Sequence, residues 1–306
     1  MVDRYRNYRP SYEQQPKKRH HPKRWLFLFT IIAIFLGGKA LASRVNQKND
    51  QKPVASTLQK PKPVIKANPI PNTTWNDLAL KVNALISAQP TLDISVAVID
   101  IGTNTKANYG IQNNFAGAST TKVLTAAAFL HEVEQGTHSL SEKVGDYTAK
   151  QQLQQMINQS NNDSWEALNT TLTYSKLEAY AHSLGISSYE SSGNTITASD
   201  EALLLQKLYN GDLLNQTNTN LLLSFMQNTN NEDMIPKVIP SGATIYHKYG
   251  QLEDRLHDAA IVDYNGRPIA LVIYTKGGAT DGSNYTSHVA LVQQLASTVF
   301  ATIYGN

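Results

Sequence analysis

The chain has 306 residues, 41% of them apolar and 17% charged, enough for one large folded unit or two small ones. It contains no cysteine, which excludes disulfides, thiolate metal sites and a lipid-modified cysteine. The formal net charge of +3 is unevenly placed: residues 1–24 carry a net +6 and the remainder −3, so the basicity belongs to the N-terminal tail alone.

The segment after that tail argues against a nucleic-acid partner. Trp25 to Gly38 is uncharged and largely apolar, and Lys39 can snorkel while Ala40-Leu41-Ala42 continues the apolar character. Positive charge before such a segment keeps the N-terminus cytoplasmic, so residues 25–42 are expected to be a single-pass signal-anchor. Ala40-Leu41-Ala42 also fits a small-residue cleavage site, in which case the protein would be secreted. On either reading the rest of the chain lies outside the membrane. Residues 43–73, rich in Gln, Asn and Lys and carrying Pro53, Pro61, Pro63, Pro69 and Pro71, read as an extended linker. Residues 74–306 form the folded unit.

Within that unit, a helix is expected from about Trp75 to Ala88. Asp93–Asp100 is a β-branched strand that turns at Gly102-Thr103-Asn104 into a second strand ending near Ile111. A helical pattern runs from Ser119 to about Gln227, broken at Ser192-Gly193-Asn194 and Asn210-Gly211-Asp212. Strands return at Thr244–Tyr249, Asp258–Asp263 and Ile269–Tyr274, with Asn265-Gly266 as the last hairpin turn, and a final helix spans about Ser287 to Tyr304. This order implies an α+β fold in which both chain ends contribute strands to one sheet and the helical block is inserted as a lobe. Sites commonly lie at such lobe boundaries.

Three short motifs carry the chemistry. Ser119-Thr120-Thr121-Lys122 sits between the small-residue loop Ala116-Gly117-Ala118 and the helix-forming run from Val123. Residues three apart on a helix share a face, so the Lys122 amine and the Ser119 hydroxyl can meet, and a lysine of lowered pKa activates a serine. The helix N-terminus adds unpaired N–H groups that favour an oxyanion. Ser160-Asn161-Asn162 lies between two helical segments, where such residues serve equally as a cap and turn. His247-Lys248-Tyr249-Gly250-Gln251 ends a strand; Lys248 supplies fixed positive charge, and Gly250 lets a substrate backbone lie alongside. The eight histidines are scattered and show no helical i, i+4 pair outside the tail, so neither metal nor cofactor is expected.

Serine with lysine one turn on, then Ser-x-Asn, then Lys-x-Gly on a strand resembles the class A β-lactamases and penicillin-binding proteins, the penicillin-recognising serine hydrolases. The resemblance covers roughly residues 75–306. It implies a β-lactamase/transpeptidase-like fold with Ser119 as acylating nucleophile, Lys122 as its general base and Ser160 as proton relay. Asn162 would bond the substrate amide, Lys248 would attract the substrate carboxylate, and the backbone N–H groups of Ser119 and Gln251 would form the oxyanion hole. Tyr249 and Gly250 would line the substrate strand. The expected partner is a small-molecule β-lactam or a peptidoglycan peptide.

Three departures bear on activity. Asn161 replaces the middle Asp of the second motif. Tyr249 replaces the small hydroxyl residue of the third, and a phenol carries its oxygen several ångströms farther, which disfavours ordinary penicillins. The Glu-x-x-Leu-Asn pattern that holds a deacylating water is missing between Ile186 and Thr195, where Glu190 is the sole carboxylate and the candidate deacylation base. Glu166, one turn after Asn162, reads as a surface residue. The expected activity is acyl-enzyme hydrolysis of a β-lactam or related amide. The alternatives are a D-Ala carboxypeptidase or esterase with little β-lactamase activity, and an idle relative that binds cell-wall material.

Overall fold

In the computed structural model, residues 68–279, 283 and 285–305 are described. The predicted basic tail, the apolar span and most of the linker lie outside these residues. Among the described residues no helix is long and apolar enough to cross a membrane.

The chain enters helix α1 (Asn72–Ser87), then strands β1 (Asp93–Asp100) and β2 (Thr105–Gly110). The two-residue strand β3 (Phe115–Ala116) leads into helix α2 (Lys122–Glu134). A small β4–β5 pair (Lys143–Val144, Tyr147–Thr148) precedes helices α3 (Ala149–Asn158), α4 (Asn162–Leu172) and α5 (Tyr174–Ser183). Strand β6 (Thr195–Ile196) pairs with β3, and helices α6 (Ala198–Asn210) and α7 (Gln216–Phe225) complete the lobe. Strands β7 (Thr244–Leu252), β8 (Arg255–Tyr264) and β9 (Arg267–Lys276) and helix α8 (Tyr285–Tyr304) follow.

The main sheet is antiparallel with order β2-β1-β9-β8-β7, so β1 pairs with β9 across the whole lobe insertion. Alternation along the strands gives each face its own apolar set. Val96, Val98, Leu271 and Ile273 pack with Leu78 and Val82 of α1 and with Leu291, Leu295 and Val299 of α8. Helix α6 covers the opposite face, against β1, β8 and β9. Asn265 and Gly266, both at positive φ (54° and 78°), make the β8–β9 turn, as their sequence predicts.

Several boundaries differ from the sequence expectation: α1 begins at Asn72, inside the expected linker, because Pro71 is preset for a helix start, and the β4–β5 pair and β6 interrupt the expected helical run. Helix α2 starts at Lys122, three residues late. The Thr120 and Thr121 hydroxyls bond back to the carbonyls of Gly117 and Ala118, and such local bonds compete with helical ones, leaving Ser119 in a tight turn. Strands β7 and β8 run on to a turn at Glu253-Asp254, which has no glycine to announce it.

Candidate active site

The turn that carries Ser119 is held from three sides. Gly117 donates its N–H to the Asn194 carbonyl, and a Cβ there would strike the Thr121 methyl at 2.6 Å. Asn194 accepts from the Thr121 hydroxyl at 2.7 Å and donates to the Ala118 carbonyl at 2.9 Å. Ala118 itself sits at φ 51°, a left-handed conformation that a small residue with its carbonyl doubly bonded can hold. His257 donates through Nε2 to the Ala116 carbonyl, while its Nδ1 accepts from the Thr275 N–H. Burial pulls this imidazole down to about 4, which keeps it neutral in that tautomer.

The second motif is the junction of α3 and α4. The N–H groups of Gln159 and Asn161 both return to the Gln155 carbonyl and close α3, leaving Ser160 in the left-handed position (φ 55°) that usually ends a helix. Asn161 then caps α4, its side chain accepting from the Ser164 N–H at 2.8 Å. Asparagine caps as well as aspartate, so this departure from the motif leaves the junction intact. The Ser160 carbonyl is thereby aimed at Lys122.

The amine of Lys122, 1% exposed, donates to the Ser160 carbonyl and to Asn162 Oδ1, each at 2.7 Å. Lys248, wholly buried on β7, donates to Ser160 Oγ at 3.0 Å and to the Tyr249 carbonyl at 2.9 Å. Lys122, Ser160, Asn162 and Lys248, spread over 127 positions of sequence, thus form one hydrogen-bonded chain. Ser119 stands one turn from Lys122, half-buried, and its hydroxyl makes no hydrogen bond among the described residues. Gly250 lies against its turn: a Cβ at 250 would sit 3.0 Å from Gly117 O and Ser119 N and 3.1 Å from Thr120 N. Gln251 follows in the same strand.

Burial and the Lys248 charge hold Lys122 well below the usual lysine range. Burial also lowers Lys248, to about 7, against the opposing pull of Asp258 and Glu201. Both amines are thus disfavoured in their charged forms, Lys122 also by repulsion from Lys248. A neutral lysine has two hydrogens; both of Lys122's are taken by carbonyl-type acceptors, which leaves its lone pair free as a base.

Two sequence expectations meet a different environment. The Tyr249 ring is 7% exposed and belongs to the α1–α8 core, because it alternates with Lys248 along β7. It offers the cleft its backbone carbonyl, with the Lys248 ammonium 4.2 Å from the ring centroid, and does not line the cleft as a substrate-facing phenol. Glu190 is exposed, and its carboxylate faces Thr195 Oγ1 at 3.5 Å, away from hydrogen-bonding contact with Ser119, Lys122 or Ser160. Glu166 is exposed on α4, as read.

Sequence reasoning missed the layer behind these residues. His247 is clasped by Asp258 at 3.0 Å and by Thr229 and Glu232 at 3.0 and 3.2 Å, which locks the strand carrying Lys248 to its neighbours. Trp165 donates to Thr125 and lies under the Lys122 amine. Glu201, fully buried on α6, bonds Thr120 and Tyr274. A signal for Glu201 existed: with Leu204, Leu205 and Leu208 it falls on the apolar face of its helix, where an acid is out of place.

An antiparallel sheet drawn from both chain ends, an inserted helical lobe and this hydroxyl–amine cluster at their junction define a β-lactamase/transpeptidase-like serine hydrolase. The profile of the β-lactamase enzyme family matches residues 77–303, and the chain belongs to that family. Among solved structures it is similar to PBP-A, at 23% identity and a TM-score of 0.68, over 75% of this chain and 97% of that one. A point mutant of PBP-A, solved as an acyl-enzyme complex with penicillin G, superposes with a TM-score of 0.69 at 22% identity, over 76% of this chain and 97% of that one. A β-lactamase from Xanthomonas campestris pv. campestris gives 0.68 at 20% identity, over 74% and 97%. Among curated proteins none matches the sequence.

Proposed function

We propose that the chain is a penicillin-binding serine enzyme, anchored in the membrane by residues 25–42 with its folded unit outside, that acylates Ser119 on a carboxylate-bearing amide. The substrate is a β-lactam or a D-Ala-D-Ala-type wall peptide. The observation that carries this reading is the hydrogen-bonded chain from Asn162 through Lys122 and Ser160 to Lys248, with Ser119 three residues before Lys122 and its carbonyl accepting the Lys122 N–H.

On this reading Lys122 takes the Ser119 proton through its free lone pair as Oγ attacks the carbonyl carbon. The oxyanion meets the N–H groups of Ser119 and Gln251. Ser160 accepts from Lys248 and so has its own hydrogen to give to the leaving nitrogen. The substrate carboxylate is drawn to the Lys248 charge, and Asn162 bonds the substrate amide. With Glu190 turned to Thr195 and exposed, no carboxylate among the described residues hydrogen-bonds Ser119, Lys122 or Ser160, which supports slow deacylation over efficient β-lactam hydrolysis. The acyl-enzyme complex of the PBP-A mutant with penicillin G supports the acylation step.

The test incubates the full-length protein with a fluorescent penicillin and follows intact mass. A long-lived adduct, lost in Ser119→Ala, supports the reading. Rapid consumption of antibiotic without an accumulating adduct would make the protein an efficient β-lactamase instead. No adduct with any β-lactam or activated ester would overturn the enzyme reading.

A further inference from the structure

Glu201 has no part in the mechanism above, yet it lies directly behind the nucleophile turn. Its Oε2 contacts Thr120 Oγ1 at 2.8 Å and the Tyr274 hydroxyl, while Thr120 Oγ1 is also 2.7 Å from the Gly117 carbonyl. Its Oε1 is buried without a partner.

Counting hydrogens against contacts favours one state of this group. If Glu201 were ionised, two hydrogens, one from Thr120 and one from Tyr274, would have to serve three close oxygen–oxygen contacts and a fourth, longer one between the Thr120 and Tyr274 hydroxyls at 3.3 Å. The single Thr120 hydrogen would then be shared between acceptors at 2.7 and 2.8 Å, closer than the 2.7 and 3.1 Å pair that shares the Thr121 hydrogen, and a charged, unpartnered Oε1 would sit in a dry interior. If Glu201 carries a proton, three hydrogens serve three contacts in one direction: Tyr274 donates to Glu201, Glu201 to Thr120, and Thr120 to the Gly117 carbonyl. Such a chain polarises along its length.

We propose that Glu201 is a neutral acid and a positioning residue for the acylation step: its proton frees the Thr120 hydrogen for Gly117 and so holds the turn bearing Ser119. This rests on Ser119 being the acylated residue. Loss of the proton would swing the Thr120 hydrogen to the carboxylate and release that bond to Gly117. It would also put negative charge behind the turn where the oxyanion forms.

The charged and titratable groups around Glu201 fit a neutral acid. Lys248 on β7 draws towards the ionised form, and Asp258 on β8 opposes it. Tyr274 on β9 donates, and the neutral His257 on β8 lies tilted against Tyr274 with ring centroids 4.4 Å apart. On β1 the carboxylates lie at the strand ends, Asp93 with Lys276 and Asp100 with Arg267. Burial is the largest influence and raises Glu201 to about 8.

The experiment measures acylation of full-length protein and of Glu201→Gln by a fluorescent penicillin from pH 6 to 9.5. The amide keeps a donor without titrating. The ratio of wild-type to variant rate is expected to fall about tenfold between neutrality and one unit above the Glu201 midpoint. A ratio flat across pH, or a folded variant more than about thirtyfold slower at neutral pH, would overturn the proposal. Should the variant fail to fold, the wild-type infrared difference spectrum between pH 7 and 9 decides: a protonated-carboxyl carbonyl band lost on raising the pH is expected, and its absence refutes a neutral Glu201. That band reads Glu201 whether or not a β-lactam reacts, so failure here and failure of the acylation reading are separable.

Discussion

Gly250→Ala tests how closely β7 presses on the nucleophile turn. The new methyl would meet backbone atoms on every near side, Gly117 O and Ser119 N at 3.0 Å and Thr120 N at 3.1 Å, so the turn or the strand must yield by a few tenths of an ångström. Neither yields freely. β7 is hydrogen-bonded to β8 from Thr244 to Leu252, and the turn is pinned through Thr120 to Glu201 and Thr121 to Asn194. Overpacking of this kind costs about 1–3 kcal/mol. At about 2–4 °C per kcal/mol for a domain of this size, Tm should fall by roughly 2–12 °C. A misplacement of about 1 Å costs on the order of a hundredfold in rate, so the smaller shift should slow acylation about ten- to thirtyfold. The assay pairs a thermal melt with the fluorescent-penicillin acylation rate. Gly211→Ala is the control: at φ 77° with nothing within 4 Å of a Cβ, it should cost about 1 kcal/mol and leave acylation unchanged. A Gly250→Ala protein that acylates within twofold of wild type and melts within about a degree of it would refute the reasoning.

Other perturbations follow from the same contacts. Asn194→Ala loses two side-chain bonds and keeps a Cβ at φ 47°, whereas Asn194→Gly loses the same bonds but also relieves that Cβ; Ala should melt lower than Gly, the gap worth about 1 kcal/mol by denaturant titration. Burial alone would lower His247, but the Asp258 and Glu232 carboxylates outweigh it and lift the imidazole to about 9. Its stabilisation is therefore full below its ordinary value near 6.5 and is lost as pH rises through 9, so the Tm advantage over His247→Gln should shrink across that window. Lys122→Met should abolish acylation while leaving the protein as stable or more so, because burying the amine is costly. With Lys122 depressed when folded, that relative gain should be largest at low pH and fade towards the ordinary lysine value of 10.5, as read by melts across pH.

The order of elements was legible because periodicity and turn chemistry are local. The β-branched run at Asp93–Asp100 and the Asn265-Gly266 turn needed no partner to be recognised. The three motifs were legible because they are short, the first two at element boundaries and the third, His247–Gln251, within β7. What their spacing could not give was direction. Whether Tyr249 faces the cleft or the core depends on which face of β7 meets α8, and the orientation of Glu190 depends on how its loop folds back on Thr195. The hydrogen-bond partners of His247 and Glu201 come from strands and loops remote in sequence, so no local rule reaches them.

The pairing of β1 with β9 also governs when the protein becomes competent. A chain made from its N-terminus presents Ser119 early, but Lys248 and the strand that seals β1 arrive only with the last stretch of polypeptide. Closing so long a loop is slow in folding terms. Until it closes, β1 has an open edge and the catalytic lobe has no floor, so fragments stopping short of residue 276 should be prone to self-association instead of retaining weak activity.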